Sequence, residues 1–541
     1  MTNKNNSYKS IFFFCFSVLN LIISQNFNYQ DGDWYIITES GSINSIAETP
    51  ESILYGTDNG IYIQNRYNKE IIFDYYNSQE LVSKKIYNIL YDKNTDYYWI
   101  VHDLGISYKA SISKYWRDLS FSELKLNSFL QIEKIGYNSE AIWIKYDFGL
   151  IALDRFNASL LYIDKISEIN WGSSKIDSNT DFDLLNYHLS EDWFKNSKSI
   201  VNKKSNIEYF PTVKYENDFG ETWFGTDSGL IFFGKYGWLE SAFLGFPQKD
   251  VTEIYLDDVG TWWFAQTNYK SNRIEKMFNS PFMSVPRIFL SRWDEVNNDW
   301  EYYFTNESVS IRDVNINTMI RFRDKLYLGT LDGILILDLI DRNWSRVIKG
   351  LKDNAVWDMS LLNETIYIAT AKGINRMEVP IDIIVPGMDK LLDNYNNKEI
   401  YKLDVMDDDL FIMSEIGLSR INFNKKIVNV ITNKSLKDFE INNNRIFIND
   451  GQIWEILYSN DKIEERLSYQ QGNDFCISNN FLWIVSNNNA KLIDLSNQNE
   501  WLYSSKDGIQ GDVIYNIDCD DEWVWFGTNS GVSYYNWKKF H

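Results

Sequence analysis

Cysteine, histidine and proline are scarce here, with three, three and seven in 541 residues. His102, His188 and His541 each lack a second His or Cys at metal-ligand spacing, which argues against zinc. No Gly-x-Ser-x-Gly elbow and no phosphate-cradling glycine loop occurs. The acidic clusters Asp257-Asp258, Asp407-Asp408-Asp409 and Asp520-Asp521-Glu522 lack the spacing of a calcium loop. No metal or cofactor is therefore expected. Basic charge is also short, with 53 Lys and Arg against 75 Asp and Glu, a formal net charge of -22. That balance disfavours nucleic acid and anionic membrane as partners. Nor is there an integral membrane span: the apolar stretch Ile11–Ile23 is shorter than the roughly 20 residues a membrane helix needs.

What the chain has is a phrase repeated along its length. It reads Leu54-Tyr55-Gly56-Thr57-Asp58-Asn59-Gly60, Trp223-Phe224-Gly225-Thr226-Asp227-Ser228-Gly229, Tyr327-Leu328-Gly329-Thr330-Leu331-Asp332-Gly333 and Trp525-Phe526-Gly527-Thr528-Asn529-Ser530-Gly531. Weaker copies carry Gly105, Gly149, Gly373, Gly417 and Gly451, and eroded ones follow Phe264 and Ile484. Most markers are about 34–45 residues apart, the period of blades, solenoids or arrays. Each unit is an apolar run, a Thr-x-x-Gly turn and a second apolar run, which reads as a hairpin. A third run lies upstream, as in Val251-Thr252-Glu253-Ile254-Tyr255-Leu256, and a fourth is often opened by Trp, as at Trp116, Trp238, Trp344 and Trp501. Four antiparallel strands per period make an all-β fold, a β-propeller. No mature segment keeps the 3.6-residue apolar spacing that helical repeats require. Aromatic residues, at 16%, fill the space between such sheets.

These motifs, from about Trp34 to Trp537, resemble those of the two-component regulator propeller family. The resemblance implies a periplasmic or secreted protein. In that family such propellers often form the sensor half of hybrid histidine kinases, and similar paired propellers occur in a surface component of a Bacteroidetes secretion system. No β-sandwich, kinase or sorting domain is expected after the last copy.

Lys4 and Lys9, the apolar stretch and then Ser24-Gln25 describe a secretory signal peptide over residues 1–24, with a mature start near Gln25. The repeat count implies eleven or twelve four-stranded blades, the missing copy falling between Gly149 and Gly229. So many exceed one ring, so two six-bladed rings are expected, over residues 25–285 and 286–541, with the proline-bearing stretch 279–286 as linker. A rival arrangement pairs the strand at Trp34 with the blade ending at Trp537, so that one ring encloses the other. Cys476 and Cys519 fall on inner strands of neighbouring blades, where a sheet spacing of roughly 10 Å predicts two small buried hydrophobes, not a disulfide.

Turns on one face of a propeller are the candidate binding positions: Asp58, Asp227, Asp332, Asp250 and Asp512 could present carboxylates to a partner, or only satisfy their own turns. The long insertion from about Asn157 to Tyr215 is the other candidate. Asp218-Phe219-Gly220-Glu221-Thr222-Trp223 resembles a sialidase Asp-box, but its register is that of an ordinary hairpin turn. The reading is a secreted or periplasmic, non-catalytic binding or scaffold protein, not an enzyme, recognising a glycan or an envelope protein. Alternatives are a carbohydrate-active lyase or hydrolase using funnel carboxylates, and a sensor subunit of a two-component system.

Overall fold

A computed structural model describes Tyr29 and residues 32–541, apart from 127–131, 177–185, 197, 204–206, 268–287, 295–298, 306–314, 380, 386–388, 443–444, 460–461 and 470–471. The signal segment 1–24 and the linker 279–286 lie outside the described residues. The described residues form twelve sheets, called blades: 1 (residues 43–73), 2 (86–120), 3 (132–161 with 170–171), 4 (193–209), 5 (211–243 with 174–175 and 188–189), 6 (250–304), 7 (316–347), 8 (356–384), 9 (400–432), 10 (438–469), 11 (474–503) and 12 (514–536 with 34–37). Eleven have four or more strands; blade 4, Trp193–Lys195, Ile200–Asn202 and Glu208–Tyr209, has three short ones.

The repeat motif builds each blade in the same way. Thr57 donates its hydroxyl to the Gly60 carbonyl at 2.9 Å and accepts the Asn59 N–H at 3.1 Å, tying the turn internally. Thr330, Thr370 and Thr528 repeat the bond to their turn glycines. The glycine before the threonine serves a different need. A Cβ on Gly56 would sit 2.5 Å from a methyl of Ile86 on the next blade, so the position admits no side chain.

Apolar clusters hold the seams between neighbouring blades and sort the blades into two rings. Blades 6 to 12 form the larger ring. Seven seams join them, and the last packs Trp525 and Val532 of blade 12 against Val251, Ile254 and Phe264 of blade 6. Blades 1, 2, 3 and 5 form the smaller ring, with the short blade 4 packed on blade 5; Ile43 and Tyr55 meet Trp223 and Ile231 to join blades 1 and 5, and Asn170–Trp171 and Ser174–Lys175 link blade 3 to blade 5.

The expected division into residues 25–285 and 286–541 is corrected by the strand order. Blade 6 runs through that boundary: Trp262–Thr267 pairs with Phe289–Asp294. Trp34–Ile37 pairs with Gly531–Asn536 and completes blade 12. The smaller ring is thus inserted into the larger, five members against seven instead of six and six. Hydrogen bonding explains why: the outer edge of the last blade is satisfied by the first strand of the chain. Trp34 is buried there and stacks on Tyr535 with ring centroids 4.6 Å apart. The two chain crossings between rings lie side by side, Glu39 bridging Gly245 and Phe246.

The cysteine expectation also fails. Cys476 and Cys519 form a disulfide across the seam of blades 11 and 12, with Cα atoms 6.0 Å apart. The 10 Å spacing holds for sheets packed face to face, but inner strands of a propeller converge on the axis.

Candidate functional site: the axial channel of the larger ring

The five aspartates chosen from the turns are divided between the rings. Asp58 accepts the Asn44 amide at 3.0 Å and the Ser42 N–H at 3.3 Å. Asp227 accepts the Phe210 N–H at 3.0 Å. On the larger ring Asp332 is buried and paired with Arg346, Asp250 is buried at the start of its blade, and Asp512 is exposed. Only Asp58 and Asp250 converge: both act on Glu39 at the crossing between rings, where burial first, then these carboxylates against Lys249, raises its pKa.

One serine–histidine–acid trio exists among the described residues, and its wiring opposes nucleophilic catalysis. His102 Nδ1 accepts the Leu104 N–H at 3.2 Å, so its proton lies on Nε2 and points to Ser107 Oγ at 2.9 Å. Ser107 in turn donates to Asp118 at 2.5 Å. The imidazole therefore gives a hydrogen bond to the serine instead of drawing its proton, and Ser107 is buried.

A denser constellation lies at the axis of the larger ring. The first strand of five of its blades carries a bulge: the register shifts between Val251 and Glu253, Ile316 and Thr318, Val356 and Asp358, Ile400 and Lys402, Ile514 and Asn516. The residue after each bulge is polar, and the bulge turns it toward the centre. Glu253, Asp358 and Lys402 are met there by Asp438 and Asp474, with Asp404, Glu440 and Asp518 on the same strands. Their fields reach across the axis: Glu253 on blade 6 feels Asp358, Asp474, Lys402 and Asp518 on blades 8, 11, 9 and 12.

Inner strands have one unpaired edge, and part of this acidity answers it. Asp358 accepts the Met359 N–H at 2.8 Å and, across the seam, the Leu403 N–H at 2.7 Å. Asp474 does the same with Phe475 at 2.9 Å and Ile517 at 3.0 Å. Among the described residues, Asp404 and Asp518 accept only the next N–H of their own strands, at 2.7 and 2.8 Å. Asp438 accepts the Phe439 N–H at 2.8 Å and the Lys402 ammonium at 2.8 Å. Protein surrounds these groups on all sides, while the channel leaves part of each within reach of water. Burial pushes Asp358 up to about 6 and Asp518 to about 7. Burial and the charge of Asp438 push Asp474 to about 7. Glu253 and Glu440 are raised well above the usual carboxylate range by burial and the acids facing them. Burial opposes the charge of Lys402, but Asp438 and Glu440 outweigh it and keep the ammonium protonated.

A cavity of about 470 Å³ lies where the inner strands of blades 10, 11 and 12 end, lined by Asn442, Ser478, Cys519, Asp521, Trp523 and Lys538. No set of three or more His, Cys, Asp or Glu groups positioned to hold a metal occurs among the described residues. Nor is any described helix long and apolar enough to cross a membrane.

No family model and no curated protein matches the chain in sequence. Solved structures do match. In fold, the chain resembles PorZ. That protein is an essential bacterial surface component of the type-IX secretion system of Porphyromonas gingivalis; the likeness covers 93% of this chain and 87% of that one, with a TM-score of 0.50 at 11% identity. Extracellular domains of two hybrid two-component systems of Bacteroides thetaiotaomicron are also among the structural neighbours. BT4673 matches over 95% of this chain and 76% of its own, at 12% identity and TM-score 0.38. BT3049 matches over 93% and 84%, at 13% identity and TM-score 0.33. At such identities the likeness is one of fold.

The sequence reading passed over the channel residues. Their signal is the third place of a recurring run: Val251-Thr252-Glu253-Ile254, Val356-Trp357-Asp358-Met359, Ile400-Tyr401-Lys402-Leu403 and Ile514-Tyr515-Asn516-Ile517. A polar residue recurs there inside an otherwise apolar strand.

Proposed function

We propose that the chain is an exported, non-catalytic binding or scaffold protein that recognises a glycan or another envelope protein through the larger ring. The observation that supports this is the axis of the larger ring, where side chains from six blades meet. Seven rigid sheets hold these groups in place, as a recognition site requires. The fold likeness to a surface component and to extracellular domains agrees with export. The test is capture of envelope extracts and glycan arrays by the purified protein. Saturable capture that competes with soluble glycan or protein fragments is the expected result; no capture from either source would remove the reading.

A second reading, a polysaccharide hydrolase or lyase, rests on one observation: Asp358, Asp474 and Asp518 are raised toward neutral pH, as a general acid must be. Against it, Asp358 and Asp474 already hold backbone N–H groups of two blades. No release of reducing ends or unsaturated sugars from envelope polysaccharides is expected; release abolished by Asp518→Asn would favour the enzyme.

A further inference from the structure

The turns that repeat around both rings differ at their tips. In the Thr-x-x-Gly turn the third place is Asn59, Ser228, Asp332 or Ser530 in the strong copies, but Leu104 on blade 2 and Phe148 on blade 3. Both side chains are exposed, by 57% and 81%. Ile416 stands at the same place on blade 9, yet blades 2 and 3 alone set two such tips side by side. The place before them is aspartate, as it is in blades 1 and 5. Asp58 and Asp227 are tied to N–H groups of their own blades. Asp103 and Asp147 are exposed and make no hydrogen bond or ion pair with any described residue. Two apolar tips and two uncommitted carboxylates thus flank the seam that Val101, Ile106 and Ile144 pack.

Blade 3 also keeps an open edge there. In blade 2 the outer strand covers its neighbour from the turn glycine onward, Gly105 facing Ser120 and Ile106 facing Leu119. In blade 3 the outer strand is Leu160–Leu161 and meets only Ala152 and Leu153. Residues 149–151 therefore have a strand on their inner side alone, among the described residues. Asp154 turns its N–H outward to the Ser159 carbonyl at 2.8 Å. Outward groups alternate along a strand, so the pair beyond Ala152 belongs to Leu150, itself exposed. A bare edge beside exposed apolar residues is a template for strand addition. Blade 12 shows the alternative, an edge covered by the first strand of the chain.

These features specify the occupant. Unpaired backbone groups select a polypeptide in extended form over a sugar or a lipid. Leu104, Phe148 and Leu150 require apolar side chains on it, and Asp103 and Asp147 require Lys or Arg. We propose that the tip of blades 2 and 3 is a docking site for an extended, apolar and basic segment of a partner protein, which adds a strand to blade 3 along residues 149–151. This goes beyond the reading above, since it assigns a second surface, on the smaller ring, and does not depend on the axis of the larger one.

The experiment pans a phage-displayed library of short random peptides on the purified full chain, with Phe148→Ser/Leu150→Ser, both at exposed positions, as the control surface. Circular dichroism melting checks that this variant is folded. Enriched peptides are expected to alternate apolar residues and to carry Lys or Arg. Synthesised with a fluorophore, they should bind wild type saturably and the double variant roughly tenfold or more weakly, as truncation of apolar anchors does. Asp103→Asn together with Asp147→Asn should weaken binding by roughly threefold to tenfold at low salt and remove most of its salt dependence. N-methylation of alternate peptide amides should abolish binding in one register and spare it in the other, because an added strand donates to its neighbour from one side only. Binding kept by the double variant, or by both N-methylated forms, overturns the proposal. So does a library that enriches nothing on wild type over the variant. A wild-type dimer in sedimentation that the double variant dissolves would assign the edge to a second copy of this chain, and that too overturns it.

Discussion

The two rings solve the problem of a propeller axis in opposite ways. In the smaller ring the chain fills its own centre: Asn170–Trp171 pairs with blade 3 and Ser174–Lys175 with blade 5, so the stretch between them lies along the axis. Ser173 meets the Ser45 hydroxyl at 3.0 Å and the Ile46 N–H at 2.9 Å, and Ser45 accepts the Ile89 N–H at 2.9 Å. Neutral hydroxyls satisfy those inner edges at little electrostatic cost. In the larger ring carboxylates do the work around an open channel. A neutral plug suffices for stability, so the charged, open axis is the place to look for function.

The comparison can be broken most severely by cutting the chain. Separately expressed, residues 286–541 should fail to fold, because the cut splits blade 6 and parts blade 12 from its edge strand, while in 25–285 the smaller ring alone should fold. Residues 42–244 alone should fold, with strand-rich circular dichroism; the reverse outcome would restore the sequential division. Next in size is Trp34→Ala, which removes a buried ring from the closing strand and should cost about 3–5 kcal/mol in denaturant unfolding of the larger ring. Cys476→Ser opens a cross-link between residues 43 apart and should cost about 3–4 kcal/mol under oxidising conditions. Wild type treated with reductant should match it.

The smaller effects sharpen the contrast in chemistry. Asp358, Asp474 and Asp518 titrate above an unfolded aspartate in the native larger ring. Their protonated forms favour the folded state below about pH 4, and that stability is lost as pH rises through 6 to 7. The expected size is on the order of 1–2 kcal/mol per carboxyl, since channel water still screens them. Unfolding of the larger ring followed from pH 4 to 8 should show this decline, and Asp518→Asn should flatten it. In the smaller ring Ser173→Ala should cost only about 1–2 kcal/mol, through one orphaned Ile46 N–H, with no pH dependence.

The blade was legible in the sequence because a tight turn and a close seam both demand particular residues, as Thr57, Gly60 and Gly56 show. Even the short blade 4 lies where the repeat skips a copy. Ring membership was not legible, because Asp33-Trp34 and Asp299-Trp300 open similar runs in the sequence, and only the finished sheet tells which neighbour each one joins. The channel was missed for a related reason. Asp358 and Glu253 are polar residues inside largely apolar runs, and their only mark in the sequence is that the place recurs from blade to blade. Nor could strand spacing foresee the bond between Cys476 and Cys519, which depends on convergence at the axis.

Closure by the strand Trp34–Ile37 sets an order of events. It is synthesised long before its partner Gly531–Asn536. Throughout elongation the opening strand must wait unpaired while the guest ring forms behind it and the host assembles blade by blade. The larger ring can therefore lock only after Gly531–Asn536 has been made, and until then each newborn molecule offers an unpaired strand to any neighbour that can supply the partner.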